Sequence, residues 1–424
     1  MYRFIINSFR NLKADLIVQA PARINLINPL DAVEADYWMP AVAIEGKDNP
    51  LSVFLYIKER PNKSKIKIYE ILENKLEENN KFSLNLIKAE DLIKDIDKIK
   101  EEFTKDLKLI YATLYRISLS NSSFWETIKN NHFEVGILST IPRQSGLGGS
   151  SAIILAFLYG LAKYYNFINK LNGLKEKDIP INKDTLAEIC TKVEDKDLKI
   201  TAGYSDRYVI SRGGLSFCSY NGKLYHKKIK HEPLAVYDRI DGIYEINSLP
   251  IIICFSGSIH ESGNVHKKLR DLYLSNNENL IKNYEKLAQI AWKSRFAIME
   301  KNWERLGQFF KENTKIMNDI MERAGFKYGI GLANNILIDL IQKHPEVYSA
   351  KLTGAGGGGS VFALVNPDKL EQIFNYWKKS LEYILYDDQR FKSQFPNYPL
   401  EIIDELRNAQ FFKIKINKSG VKKI

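Results

Sequence analysis

The sequence predicts an α+β protein of two domains. Three observations carry that expectation. The chain has 424 residues, at roughly 100–200 residues per domain. Its first half is rich in strand-forming segments. Its second half is dominated by helical periodicity with short strands between the helices. Hydrophobic residues make up 45% and charged residues 27% of the chain, the balance of a folded globular protein and not of a disordered one. With 24 Gly and 13 Pro it is not collagen-like. No apolar run reaches the length of about 18 residues that a membrane helix needs. The opening MYRFIINSFRNLKADL is too polar for a secretory signal. A cytoplasmic protein with no membrane partner is expected.

Taken in order, LSVFLYIK (51–58), KIKIYEI (65–71) and HFEVGIL (132–138) predict strands, being rich in β-branched and aromatic residues. Leu92, Ile96, Ile99, Phe103 and Leu107 follow helical spacing within 90–119, and 88–108 reads as a charged helical insert. A glycine turn at 146–149 opens the apolar helix SSAIILAFLYGLAKYY. Residues 184–196 predict another helix, and Tyr208–Tyr220 a strand or strand pair broken at Gly213-Gly214. From about residue 250 the pattern changes. PIIICF predicts a buried strand, and helices are predicted at 264–274, 278–300, 302–323 and 330–343. AKL and SVFALV (360–365) read as strands around a run of glycines, followed by a helix at 368–383 and the strand FFKIKI (411–416). The domain boundary is expected near 230–248, giving domains 1–240 and 241–424.

The charge balance, 62 Lys+Arg against 51 Asp+Glu, is +11. The lysines alternate with acids, as in KDIDKIKEEFTKDLK (94–108), which describes a solvated helix face and not a basic patch. No nucleic-acid partner is expected, and the excess charge serves instead to concentrate anionic small molecules. Cys190, Cys218 and Cys254 form no CxxC pair and fit a reducing compartment. The six His lack HExxH spacing, so a transition metal held by the protein is not expected.

Three segments carry chemistry. In Pro142-Arg-Gln-Ser-Gly-Leu-Gly-Gly-Ser-Ser-Ala152, a strand leads in and an apolar helix leads out. Glycines let successive N–H groups turn toward one point, and a helix N-terminus favours an anion. The residues alone fit either a phosphate cradle or a glycine turn with serine as N-cap. In Lys351-Leu-Thr-Gly-Ala-Gly-Gly-Gly-Gly-Ser360 the spacing GxGxxG occurs, but a strand follows it. A dinucleotide fingerprint needs a helix there, with an acidic residue about 20 positions on. The third, Ala20-Pro-Ala-Arg-Ile-Asn-Leu-Ile-Asn-Pro-Leu-Asp31, reads as a strand with a buried or paired Arg23 and then an Asn-Pro turn.

Together, in this order and spacing, the three resemble the motifs of the GHMP kinases: APxRxNLIG, Px₃GLGxSSA and KxTGAGGGG. The resemblance implies a two-domain α+β fold, with an N-terminal ribosomal-protein-S5-like domain and a C-terminal ferredoxin-like domain. It implies ATP bound between them and an assisting Mg²⁺. The phosphate loop would be Pro142, Ser145, Gly146, Leu147, Gly148, Gly149, Ser150, Ser151 and Ala152. The stretch Ala187–Arg207 is similar to the galactokinase pattern AExCxxxEN…GxxDQ. On that likeness Glu194 and Ser151 hold Mg²⁺, Asp206 is the catalytic aspartate, and Arg23 keeps it ionised. From the residues alone, Glu194 in EDKD equally fits a solvated helix end, and Asp206 a cap or a partner of Arg207. Asn28, Asp31, Arg207, Gly354, Gly356 and Gly357 would meet the substrate.

Two departures stand out. Asn28-Pro29-Leu30-Asp31 replaces the GEHTDY of galactokinases, and Arg207 replaces their Gln. With IPRQSGLGGSSAI and Ser262-Gly-Asn-Val-His-Lys-Lys-Leu-Arg270, the segments resemble glucuronokinases, which phosphorylate the anomeric hydroxyl of a uronic acid. Arg143, Arg207, Arg212 and Arg270 lie in or beside the motifs and could grip a carboxylate. His266 could bind substrate or sit on a helix surface. The expected partners are ATP and a small sugar or sugar acid, with the chain a monomer or homodimer. The alternatives are a kinase of a mevalonate derivative or heptose phosphate, or a non-catalytic ligand sensor on the same fold.

Overall fold

A computed structural model of the chain describes residues 1–28, 30–33, 38–74, 81–170, 172–220, 235–259 and 262–424. Pro29 of the NPLD segment and the start of the expected boundary lie outside the described residues.

The first half begins with α1 (Tyr2–Asn11), which packs Ile5, Ile6 and Phe9 on the sheet, followed by β1 (Leu16–Asn25), β2 (Met39–Gly46) and β3 (Ser52–Glu59). The hairpin β4 (Lys65–Asn74) and β5 (Lys81–Asp91) comes next, then α2 (Ile96–Glu101), α3 (Lys108–Ser120), α4 (Ser122–Asn130) and β6 (Phe133–Ser139). The long helix α5 (Gly149–Tyr164), then α6 (Lys183–Thr191) with a π-helical turn (Lys192–Asp197), α7 (Ser205–Arg212), β7 (Leu215–Ser219) and β8 (Val236–Arg239) complete it.

The second half runs through β9 (Ile251–Phe255), α8 (Ser262–Leu274), α9 (Glu278–Met299), α10 (Trp303–Arg323), α11 (Leu332–Gln342), β10 (Val347–Thr353), β11 (Ser360–Val365) and α12 (Leu370–Ile384). It ends with α13 (Asp388–Gln394), α14 (Ile402–Leu406), β12 (Gln410–Ile416) and β13 (Lys422–Lys423).

The strands form one mixed sheet, in the order β10-β11-β9-β12-β2-β1-β3-β6-β4-β5, with β13 and β7 on the flanks of β1 and β2. The pairs are antiparallel except β4 with β6. β12 lies between β9 and β2, so a strand from the end of the chain joins the two halves. Helix α5 packs against β1 and β3, and its Gly160 lies against Leu55 and Ile57. Val18, Leu55, Ile154, Phe157 and Leu158 belong to the larger core. Leu287, Met317, Ile336, Leu352 and Trp377 belong to a second core in the C-terminal half. The α+β class is as expected.

Two expectations are corrected. The charged insert is not helical from residue 88: β5 runs to Asp91, and helix resumes only at Ile96. Phe82, Leu84 and Leu86 alternate with polar residues, which is strand periodicity. Tyr208–Tyr220 is not a strand pair. It is α7 as far as Arg212, a turn at Gly213-Gly214, and then β7. Tyr208, Val209 and Ile210 favour strand locally. The carboxylate that caps this helix comes from residue 31, so the deciding contact is tertiary.

The chain's end also secures α7. Val421 donates to the Ile210 carbonyl at 2.8 Å, and Gly214 donates to the Asn417 carbonyl at 2.7 Å. Gly420 has φ +65°, and a Cβ there would lie 2.2 Å from the Ser211 carbonyl oxygen. The Gly420→Ala substitution should therefore lower stability by about 1–3 kcal/mol through overpacking and backbone strain. Urea unfolding would read it. An unchanged midpoint would show that the tail does not bear on α7.

Candidate active site

β1 is buried along all ten residues, yet it carries Arg23 and Asn25 on the same face, two positions apart. Arg23 grips Asp206 with two N–H groups, Nε to Oδ1 and Nη2 to Oδ2. Its Nη1 donates to the Gly146 carbonyl, and its backbone N–H to that of Leu147 at 3.0 Å. Asn25 Nδ2 lies 3.4 Å from Asp206 Oδ1. Asp206 sits in the first turn of α7. Burial works against its charge, but Arg23 and Arg207 outweigh it and hold the carboxyl at about 2.

Gly148 is the N-cap of α5, and no side chain caps that helix. Ser150 and Ser151 therefore do not serve as N-cap, and the free N–H groups of the first turn are left to an anion. The Lys351–Ser360 segment braces the loop. Ser360 Oγ donates to the Ser145 carbonyl at 2.7 Å, and the Asn25 N–H donates to Thr353 Oγ1 at 3.0 Å. Gly146 and Gly354, both at positive φ, approach so closely that a Cβ on Gly354 would lie 3.2 Å from the Gly146 carbonyl oxygen. Gly356 packs on Met321 and Ile330, and the Gly357 N–H donates to the Ile330 carbonyl at 2.8 Å. The structure therefore places Gly354 against the phosphate loop, and Gly356 and Gly357 against the C-terminal helices.

Glu194 lies on the π-helical turn, a local feature that often marks functional positions. Its Oε2 accepts from Ser151 Oγ at 3.1 Å and from Arg207 Nε at 2.8 Å. Ser151 and Glu194 are each 1% exposed. A hydroxyl and a carboxylate are the hard oxygen donors that Mg²⁺ takes, so the pair fits that ion. Among the described residues no cluster of three or more His, Cys, Asp or Glu surrounds it. Phosphate oxygens and water would complete the shell. Cys190 is adjacent, and burial followed by the Glu194 charge pushes its thiol well above the ordinary value, so it is not a nucleophile.

Asp31 accepts from the Tyr204 N–H and, at 2.6 Å, from the Ser205 N–H. It caps the helix that carries Asp206. Burial, then the charge of Asp206, raises its carboxyl to about 6. Its contribution to stability is thus full below about pH 4 and is lost as the pH rises through about 6. Asn28 is fully buried; it accepts from Lys351 Nζ and donates to the Gly354 carbonyl at 3.0 Å. Asn28 thus ties the Ala20–Asp31 segment to Lys351–Ser360, and Asp31 ties it to α7.

Of the four arginines, Arg207 pairs with Glu194 and Asp206, Arg212 with Asp184, and Arg270 with Asp195. Arg143 is exposed on the loop and makes no hydrogen bond or ion pair with the described residues. His266 is half-buried on α8, and its strongest charged neighbour is Asp206. Burial lowers the imidazole to about 3 and keeps it neutral. Its Nδ1, Asn25 Oδ1 and Ser145 Oγ are buried without a hydrogen-bond partner. Asn25, Lys351, Thr353 and Ser360 were missed as site residues, although each lies inside a quoted motif. For Asn25 the signal was a second polar residue on the Arg23 face of an apolar strand.

Comparison with known proteins adds the following. Residues 109–214 match the family GHMP kinases N terminal domain, and residues 285–382 match GHMP kinases C terminal. The chain is 26% identical over 258 residues to probable glucuronokinase 2 of Arabidopsis thaliana, covering 60% of this chain and 63% of that one. The match thus spans less than two thirds of that relative. It is 24% identical over 296 residues to the D-glycero-alpha-D-manno-heptose 7-phosphate kinase of Campylobacter jejuni, covering 67% and 76%. The fold is similar to that of Lactococcus lactis galactokinase complexed with galactose, with a TM-score of 0.61 at 19% identity over 96% of this chain and 95% of that one.

The charge coupling at Asp206 has a measurable sign. A carboxyl held below its ordinary value contributes stability above about pH 4 and loses it as the pH falls toward about 2. The Asp206→Asn variant should be less stable than wild type by about 2 kcal/mol at neutral pH. Urea unfolding should show the gap closing as the pH is lowered toward about 2. A gap that stays constant would mean that Asp206 is not held ionised by its arginines.

Proposed function

Proceeding from a chain that belongs to the GHMP kinase family in both of its halves, we propose that it transfers the terminal phosphate of ATP to a hydroxyl of a sugar or sugar acid. One observation carries the reading: Arg23 joins Asp206 to the backbone of an uncapped helix-start loop through a single guanidinium. A group that meets the acceptor hydroxyl and a cradle that meets the donor phosphate are thereby held in one frame. We divide the chain into functional halves at 1–240 and 241–424, with the β12–β13 return completing the first.

Phosphoryl transfer needs positioning and charge stabilisation more than strong basicity. At about 2, Asp206 is a weak base. It orients the acceptor hydroxyl as a hydrogen-bond acceptor and takes the proton late, once bonding to phosphorus has acidified the oxygen. The α5 N–H groups and the Gly146–Gly149 backbone bind the phosphates. Ser151 and Glu194 would hold Mg²⁺, which would supply neutralisation of phosphate charge. Asn28 and Asp31 act as positioning residues. Asn25 Oδ1 and His266 Nδ1 offer acceptors to hydroxyl groups of the substrate, which favours a polyol.

An ADP-release screen over sugars, uronates, heptose phosphates and mevalonate derivatives tests the activity. With the acceptor it identifies, Asp206→Asn should lower kcat by roughly 10²–10⁴-fold, with ATP affinity little changed. Near-normal turnover in that variant would remove Asp206 from the chemistry. ATP binding without turnover on any acceptor would favour the sensor reading.

The acid preference rests on the likeness to glucuronokinases and, among the four arginines, on Arg143. A charge-assisted pair with a carboxylate discriminates against a neutral hydroxymethyl group. Glucuronate should therefore exceed glucose in kcat/KM, and galacturonate should exceed galactose. Arg143→Ala should remove the preference while leaving the neutral sugars unaffected. Preference for the neutral sugar in both pairs would reject acid recognition and leave the kinase reading standing.

A further inference from the structure

Arg207 stands where, on the resemblance, galactokinases have a neutral glutamine. It is 6% exposed and fully engaged. Its Nε and Nη2 both donate to Glu194 Oε2, and its Nη1 lies 3.5 Å from Asp206 Oδ2. The guanidinium thus spans from one carboxylate to the other. Burial works against its charge, and Glu194 followed by Asp206 keeps it protonated. The oxygen it occupies on Glu194 is the same one that Ser151 Oγ meets at 3.1 Å. A divalent cation taking Glu194 through that oxygen would have to displace Arg207 from it, and one taking the other oxygen would lie beside the guanidinium charge.

The two carboxylates that flank Arg207 are already matched by arginines, and Asp31, coupled to Asp206 and Arg207, adds a further carboxyl raised to about 6. Glu194 and Asp206 supply two negative charges, and Arg23 and Arg207 supply two positive ones. His266 adds none, because burial keeps it neutral. Asp195, close by in sequence, is paired with Arg270. A bare dication arriving here would leave a buried excess of positive charge, which is strongly unfavourable. A dication arriving with the negative charge of nucleotide phosphates would not, and the phosphates would also offer Arg207 a second anchor.

We propose that Arg207 is a resident counter-cation for Glu194 and Asp206, so that the site refuses a free divalent cation and admits one only together with nucleotide phosphate. The proposal rests on the reading of Ser151 and Glu194 as the metal's protein ligands, and it makes Arg207 a positioning and selectivity residue.

Thermal unfolding with and without Mg²⁺, against NaCl at matched ionic strength, provides the test. Wild type should show no shift with Mg²⁺ alone. Arg207→Gln leaves Glu194 buried without its cationic partner and should lower Tm by roughly 5 °C. Mg²⁺ should restore most of that loss, and matched NaCl should not. In the double variant Arg207→Gln/Glu194→Gln the Mg²⁺ response should vanish. A wild type stabilised by Mg²⁺ as much as Arg207→Gln, or an Arg207→Gln variant blind to Mg²⁺, would overturn the proposal. Wild type itself covers the case in which Arg207→Gln does not fold. Followed by electron paramagnetic resonance, Mn²⁺ should bind only when a non-hydrolysable ATP analogue is present. Nucleotide-free Mn²⁺ binding that Glu194→Gln abolishes overturns this proposal alone. Nucleotide-dependent Mn²⁺ binding that Glu194→Gln leaves unchanged overturns the metal-ligand reading along with it.

Discussion

The Arg23 guanidinium is the constraint on which the site depends. It has five N–H donors in a rigid plane, and three of its N–H groups are placed on two targets that lie far apart in the chain, the Asp206 carboxylate and the Gly146 carbonyl. Neither target could move without breaking a charge-assisted bond. Because Arg23 sits on β1, buried along its length in the centre of the sheet, its own position is set by the largest rigid body in the molecule. A lysine at the same point could supply the charge but not the planar fork that joins two partners.

Everything else near the site restrains one end of that frame. Asp31 caps the start of α7, and the return of the chain through Asn417 and Val421 holds its end. Thr353 and Ser360 brace β1 and the phosphate loop from the C-terminal half. Lys351 is the least expected of these supports. It is fully buried, and burial lowers its amine well below the usual range, so its role is to donate hydrogen bonds to Asn28 and the Leu352 carbonyl.

Local pattern made much of this readable. β3, β4, β6, α5, β9 and α8 through α12 follow their hydrophobic periods, and the motif glycines stand where the backbone takes positive φ. What could not be read locally is whatever a distant residue decides. Helix α7 looks like a strand because Tyr208, Val209 and Ile210 prefer one, and the carboxylate that caps it lies far upstream in the chain. The same holds for the arginines. Sequence shows four positive side chains near the motifs. Only the fold shows that Asp184, Asp195 and Glu194 neutralise three of them. β5 is a different case: its alternation was present, and the neighbouring charged run obscured it.

Neutralised arginines change what the cleft can recognise. With Arg23 and Arg207 already paired to Asp206 and Glu194, an acceptor on the proposed reading would gain little from carrying negative charge toward Asp206, and it would disturb pairs that burial makes expensive to break. Recognition there falls to neutral polar atoms. Asn25 Oδ1, Ser145 Oγ and His266 Nδ1 are buried without partners, a state that costs free energy unless a ligand or water fills it. On the proposed reading, Asn25 and His266 beside the ionised Asp206 match the hydroxyl groups of a polyol better than a lone alcohol. If the acceptor also carries a carboxylate, the negative charges of Asp206 and Glu194 disfavour placing it beside them. On the proposed reading a uronate would therefore turn its reacting hydroxyl toward Asp206 and its acid away from it, and of the four arginines Arg143 is the one left without an ion pair among the described residues to meet that acid.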